Sequence, residues 1–175
     1  QPNENYAKEK EKIISFLKNA LAYGKSTVSE INPAYAATQG LFNGAQKLYV
    51  YADGEKEIMD AIVKTKDLGV KKVVLVGGYQ AYKITEFLKE HDISVLVRAP
   101  HNLPSSDDDD YDLPYKLPKI LLDSGLLVAM QNASAKNFQN RNLPFYAGQL
   151  VQQGLSKEKA LQMITQKCHT VYFRG

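Results

Sequence analysis

Four places in the chain set polar or reactive side chains at the end of an apolar run. Asp53 follows Tyr51 and Ala52 in "KLYVYADGEKEI", Tyr79 follows the pair Gly77 and Gly78, Arg98 and His101 share "VRAPHN", and Gln131, Asn132 and Ser134 close "GLLVAMQNAS". A carboxylate, a guanidinium, an imidazole and a carboxamide are groups that hold a polar small molecule by charge and hydrogen bonds. Each also has a plain structural reading, and that reading is favoured residue by residue: Asp53 as the N-cap of the following helix, Arg98 as a surface charge, His101 as a loop histidine.

Sharper motifs are missing. "VGGYQAY" has neither of the phosphate-loop spacings, so the glycine pair is expected to serve a tight turn. There is no G-x-S-x-G elbow. The three histidines, His91, His101 and His169, are not at metal-ligand spacing, and His91 in "KEHDI" is expected to face the dipole of a helix end. One cysteine, Cys168, can make neither an internal disulfide nor a cysteine zinc clamp. Four consecutive aspartates, Asp107 to Asp110, lack the spaced oxygens and central glycine of a calcium loop and read as a solvated, self-repelling loop tip.

The elements that would position these groups follow from periodicity. "KLYVYA", "KKVVLVGG", "ISVLV" and "GLLVAM" read as strands. Val73 to Val76 are continuously apolar, which predicts a strand covered on both faces, as in a parallel sheet flanked by helices. Ile58, Ala61, Ile62, Thr65 and Leu68 recur at helical spacing, as do Ile84, Phe87 and Leu88, giving right-handed β-α-β units. Two further helices are expected over 143–153 and 156–166, separated by Gly154 as a stop and Ser156 as an N-cap. Upstream, Ile13, Phe16, Leu17, Ala20 and Leu21 predict an amphipathic helix, and Asn32 to Gly44 another that starts with a cap and a proline. The segment 98–114 reads as one long loop. In such architectures the functional groups gather where strands end.

The composition is that of one globular domain over residues 1–175, with 44% hydrophobic and 23% charged residues. The net charge of +3 comes from scattered residues, so no basic stripe suits nucleic acid. No apolar run approaches the ~20 residues needed to cross a bilayer, and the polar N-terminus has no signal-peptide core within this numbering.

A family resemblance enters at "RNLPFYAGQLVQQGLSKEKALQMIT", Arg141 to Thr165. This segment resembles the region after the last barrel strand in the amidohydrolase superfamily, especially its imidazolonepropionase-like and dipeptidase-like branch. The resemblance implies an α/β fold: a parallel sheet of about four strands with flanking helices, the later half of a (β/α)8 TIM barrel. It also implies a family whose members bind zinc or another divalent metal and hydrolyse amide or lactam bonds. The family ligands on the fifth, sixth and eighth strands are two histidines and an aspartate. Here those positions hold Tyr51, Gly77 and Ala133, so no cofactor is expected in this chain and the metal site reads as degenerate.

The resemblance therefore implies a fragment inactive alone as a hydrolase. A small amide-like or cyclic ligand would be held in the old pocket by Asp53, Arg98, His101 and Asn132. The expected partner is a second copy or a missing N-terminal barrel half, because half a barrel leaves sheet edges and an inner face open. The alternatives are a metal-dependent hydrolase completed by the upstream half, and a binding module with Tyr51 and Tyr79 as an aromatic platform. Export to the periplasm is implied by the branch alone. After Gln166 the text departs from the family, and removing one base from a back-translation restores a family-like ending. Residues 167–175 thus read as a frameshifted tail in which Cys168 and His169 form no site.

Overall fold

The computed structural model describes residues 4–26, 31–101, 103–105, 108–131 and 141–173. Its elements run α1 (Glu4–Lys25), α2 (Pro33–Ala37), α3 (Gly40–Asn43), β1 (Leu48–Ala52), α4 (Glu55–Asp67), β2 (Val73–Gly77), a 3-10 turn (Ala81–Ile84), α5 (Thr85–Glu90), β3 (Ser94–Val97), α6 (Leu113–Asp123), β4 (Val128–Met130), α7 (Leu143–Gln152), α8 (Lys157–Ile164) and α9 (Gln166–Phe173). The strands form one sheet in the order β1-β2-β3-β4. In its parallel pairs Val76 lies opposite Leu96, and Leu96 opposite Ala129. The expected α/β architecture, four strands with flanking helices, is therefore the one observed. All five residues of β2 are buried, as its unbroken apolar run requires.

The chain separates into two compact units that interleave along the sequence, one of residues 1–48 and 62–73, the other of 49–61 and 74–174. In the first, Leu17 and Ala20 of α1 are buried, whereas Ile13 of the same predicted stripe is exposed. Gln39 Nε2 donates to Ala20 O and to Tyr35 O, each at 2.8 Å. The single helix expected over 32–44 is two short ones. Asn32 caps the first through its Oδ1, Pro33 sits in its first turn, and the turn at Thr38 and Gln39 interrupts the run before Gly40. At the start of β1 the Leu48 N–H donates to Lys72 O at 2.9 Å.

The second unit holds most of the sheet. Gly154 (φ 86) stops α7, and Ser156 Oγ accepts from the Lys159 N–H at 3.2 Å to start α8, both as expected. His91 also behaves as expected for a helix end, with Nδ1 at 3.0 Å from Phe87 O.

The long loop ends earlier than the sequence suggested, because α6 begins at Leu113. Two prolines hide this helix. Pro114 falls in the first turn, where its missing N–H costs nothing, and Pro118 lies inside the helix with Leu113, Leu117 and Leu121 buried beside it. Residues 166–173, where no apolar period is legible, form α9.

Candidate functional site

The site is built where β1, β2 and β3 end. Just past β1, Asp53 Oδ1 accepts from the Tyr79 N–H at 3.3 Å, and Asp53 Oδ2 lies 3.1 Å from the Arg98 guanidinium, one residue beyond β3. Backbone pairing fixes this geometry, since Gly78 N–H donates to Ala52 O at 2.8 Å and Gln80 N–H to Asp53 O at 2.9 Å. Asp53 is consequently not the cap of α4. That helix starts at Glu55, whose N–H donates to Gln80 Oε1 at 2.9 Å. Gln80 is a structural support that sequence reasoning missed, because a cap supplied from 25 positions downstream leaves no local signature.

Gly77 adopts φ 95, a left-handed conformation that a side chain disfavours. A Cβ there would also come within 2.5 Å of Asp53 Oδ1. No imidazole can occupy that position while the Asp53–Arg98 pair stands. Gly78 (φ 69) is equally confined, its missing Cβ lying 2.9 Å from Leu75 Cδ2.

Asp53, Gly77 and Arg98 line a cleft of ≈ 270 Å³ with Tyr79, Leu103, Ser105 and Leu117. Tyr79 Oη donates to Asp109 Oδ2 at 3.0 Å and accepts from the Ser105 N–H at 3.2 Å. Burial pushes the Tyr79 phenol above its ordinary value, and the neighbouring Asp109 adds to the rise. The acidic run is thus tied back to the fold. Asp109 meets Tyr79, and Lys116 holds Asp110 at 3.0 Å and Asp112 at 2.7 Å. The hydrogen bond from Lys116 lowers the Asp110 carboxyl. Asp107 lies outside the described residues.

Asp53 and Arg98 are brought together as candidate ligand groups, each about half exposed. His101 goes elsewhere: its ring lies 5.1 Å from that of Tyr146 and 5.9 Å from that of Tyr115, between α6 and α7. Tyr51 is exposed and does not join Tyr79, whose hydroxyl is engaged in the cleft. The phenol of Tyr51 neighbours Tyr172, beside Tyr49. Asn132 and Ala133 lie outside the described residues. Gln131 Nε2, at the end of β4, is buried without a hydrogen-bond partner among the described residues.

The metal that the resemblance to amidohydrolases implies does not fit the residues present at β1 and β2. Tyr51 offers a solvent-facing phenol, Gly77 offers no donor and no room for one, and the nearby carboxylate of Asp53 is engaged by a guanidinium. Among the described residues no group of three or more His, Cys, Asp or Glu could hold a metal ion. The arrangement can instead present a hydrogen-bond donor beside an acceptor. Arg98 keeps N–H groups beyond the one facing Asp53, and a carboxylate accepts more than two hydrogen bonds.

No protein-family model and no curated protein matches the chain in sequence. In structure it is similar to the crystal structure of an amidohydrolase from Thermotoga maritima MSB8, with a TM-score of 0.79 and 19% identity over 92% of this chain. The match covers 44% of that protein's chain, so this chain corresponds in fold to less than half of it.

Proposed function

We propose that this chain is an amidohydrolase-like half-barrel in which an aspartate–arginine pair stands in place of metal chemistry, and that its cleft binds a small amide-like or cyclic ligand without hydrolysing it. One observation carries the reading: the Asp53–Arg98 pair at the carboxyl ends of β1 and β3, with Gly77 shaped around it. Barrel enzymes place their ligand groups at that end of the strands. The fold likeness supports the family, and "GLSKEKALQMIT" supports the imidazolonepropionase-like and dipeptidase-like branch.

The chemistry of the pair suits such a ligand. A lactam or cis-amide carries its carbonyl oxygen and its N–H on one edge, and Arg98 beside Asp53 offers the complementary donor and acceptor. A volume of ≈ 270 Å³ is just under the ~300–1,000 Å³ of drug-sized pockets, which favours a compact ligand. Isothermal titration with a panel of lactams, cyclic ureas and dipeptides tests the reading. It expects saturable binding by at least one compound, lost in Arg98→Ala. Absence of saturable binding across the panel overturns it.

The tail after Gln166 is proposed to derive from a shifted reading frame. Coding DNA whose codons there are incompatible with a one-base shift ends that proposal.

A further inference from the structure

Alternation along the paired strands sorts side chains onto two faces. The register puts Val74, Val76, Leu96 and Ala129 on one face, and Leu75, Val95 and Val128 on the other. Leu75 points to the side of the connections, since a Cβ on Gly78 would meet both Leu75 Cδ2 at 2.9 Å and Ala81 Cβ at 3.3 Å, and Ala81 opens the turn into α5. Right-handed crossovers between strands that follow one another in order keep their helices on that same side. The face of Val76 and Leu96 is therefore the inner face of a barrel sheet, which in a closed barrel is filled by side chains from the opposite strands.

Here α9 fills it. Val171 is buried in one cluster with Val74, Val76, Leu96 and Ala129, and Tyr49 and Cys168 pack against that cluster. Tyr49 Oη donates to Val171 O at 3.4 Å, and the Tyr172 ring stacks on Tyr49 at 5.8 Å. Cys168 Sγ lies 3.1 Å from Met163 O and 3.4 Å from Met130 O, so its one S–H is shared between the two carbonyls.

We infer that α9 is an intramolecular plug standing in for the opposite barrel strands, and that its release lets the inner face of one copy close on the same face of a second copy. Three observations point to a second copy. Among the described residues the strand order leaves β1 and β4 as the two edges of the sheet. Two four-stranded sheets related by a two-fold axis supply the eight strands of a barrel whose interior side chains fill. The chain also corresponds in fold to 44% of its neighbour, about the share that one of two like parts would take. The plug is short, eight residues, and its last two, Tyr172 and Phe173, are exposed, so its hold rests mainly on Val171, Cys168 and the stacking of Tyr172 on Tyr49. This inference rests on the shared fold and not on ligand binding in the cleft.

Cys168 is the chain's single cysteine and reports on α9 directly. In the full chain, maleimide labelling of Cys168 is followed together with sedimentation velocity and far-ultraviolet circular dichroism for the wild type, Val171→Asp and Val171→Ala. The inference expects wild-type labelling through local opening, with a rate independent of low denaturant. In Val171→Asp it expects labelling faster by about tenfold or more and a dimer at micromolar concentration with the secondary-structure signal retained. Val171→Ala is expected to lie between, and it decides the matter if the aspartate variant fails to fold. Wild-type labelling only where the circular dichroism signal is lost would make α9 an integral part of the core. Faster labelling with a monomer at every concentration, or open-ended aggregates, would equally overturn the pairing of two copies.

Discussion

The same rows of side chains do opposite work at their two ends. On β1 the row runs Tyr49, Tyr51, Asp53, and on β3 it runs Ser94, Leu96, Arg98. Toward the middle of the sheet the row is apolar and covered, with Leu96 and Val171 each 1% exposed. Two residues further on it is charged and half open, with Asp53 and Arg98 paired at 3.1 Å. Stability is concentrated in the covered part, and the open part is where we propose recognition. An ion pair this exposed contributes roughly 0–1 kcal/mol, whereas a buried leucine contributes several times that.

The sharpest way to break this comparison is to truncate both ends of one row. Leu96→Ala is expected to lower unfolding stability by about 2–5 kcal/mol in equilibrium denaturation. Arg98→Ala, two residues away, is expected to change it by less than about 1 kcal/mol while abolishing ligand binding. Equal effects on stability would show that the cleft is part of the core. Next in size is Gly77→Ala, where positive φ and the collision with Asp53 predict a loss of about 1–3 kcal/mol. Adding Asp53→Gly is expected to recover the steric part but not the backbone part, a coupling that a double-mutant cycle measures. A simple sum of the two single effects would refute the close approach.

Gln80→Ala removes the side-chain acceptor from the start of α4 and is expected to cost about 1 kcal/mol, as lost caps do. The smallest effect is on titration. Burial and Asp109 raise the Tyr79 phenol, so the fold favours its neutral form. That stabilisation is complete below the unfolded value near 10.0 and is lost as pH rises through the folded value. Ultraviolet difference spectra should show one late-titrating phenol fewer in Tyr79→Phe, and loss of an early one instead would mean that Tyr79 is solvated.

Much of this architecture was legible because single residues announce it. Val73 to Val76 require cover on both faces, while Gly154 and Ser156 punctuate two helices. What stayed hidden depends on distance or on misleading residues. Asp53 and Arg98 are legible as groups of one pocket, but their pairing at 3.1 Å across 45 positions depends on the order of the strands, which no local pattern prints. Gln80 caps a helix that precedes it, so no N-cap pattern betrays it. Pro114 closes the segment that reads as loop, so the first turn of α6 is hidden in it. His101 fell in the correct segment, yet two tyrosines on neighbouring helices draw its ring away. In α9 one buried residue, Val171, supplies no period to read.

The central proposal, that an aspartate–arginine pair stands where the resemblance to amidohydrolases would place metal ligands, is tested most directly by native mass spectrometry of the full chain after incubation with excess zinc and buffer exchange. The account predicts the mass of the chain with no stoichiometric zinc, unchanged in pattern by Asp53→Asn. One zinc per chain, lost in Asp53→Asn, would contradict it and return a metal centre to the end of β1.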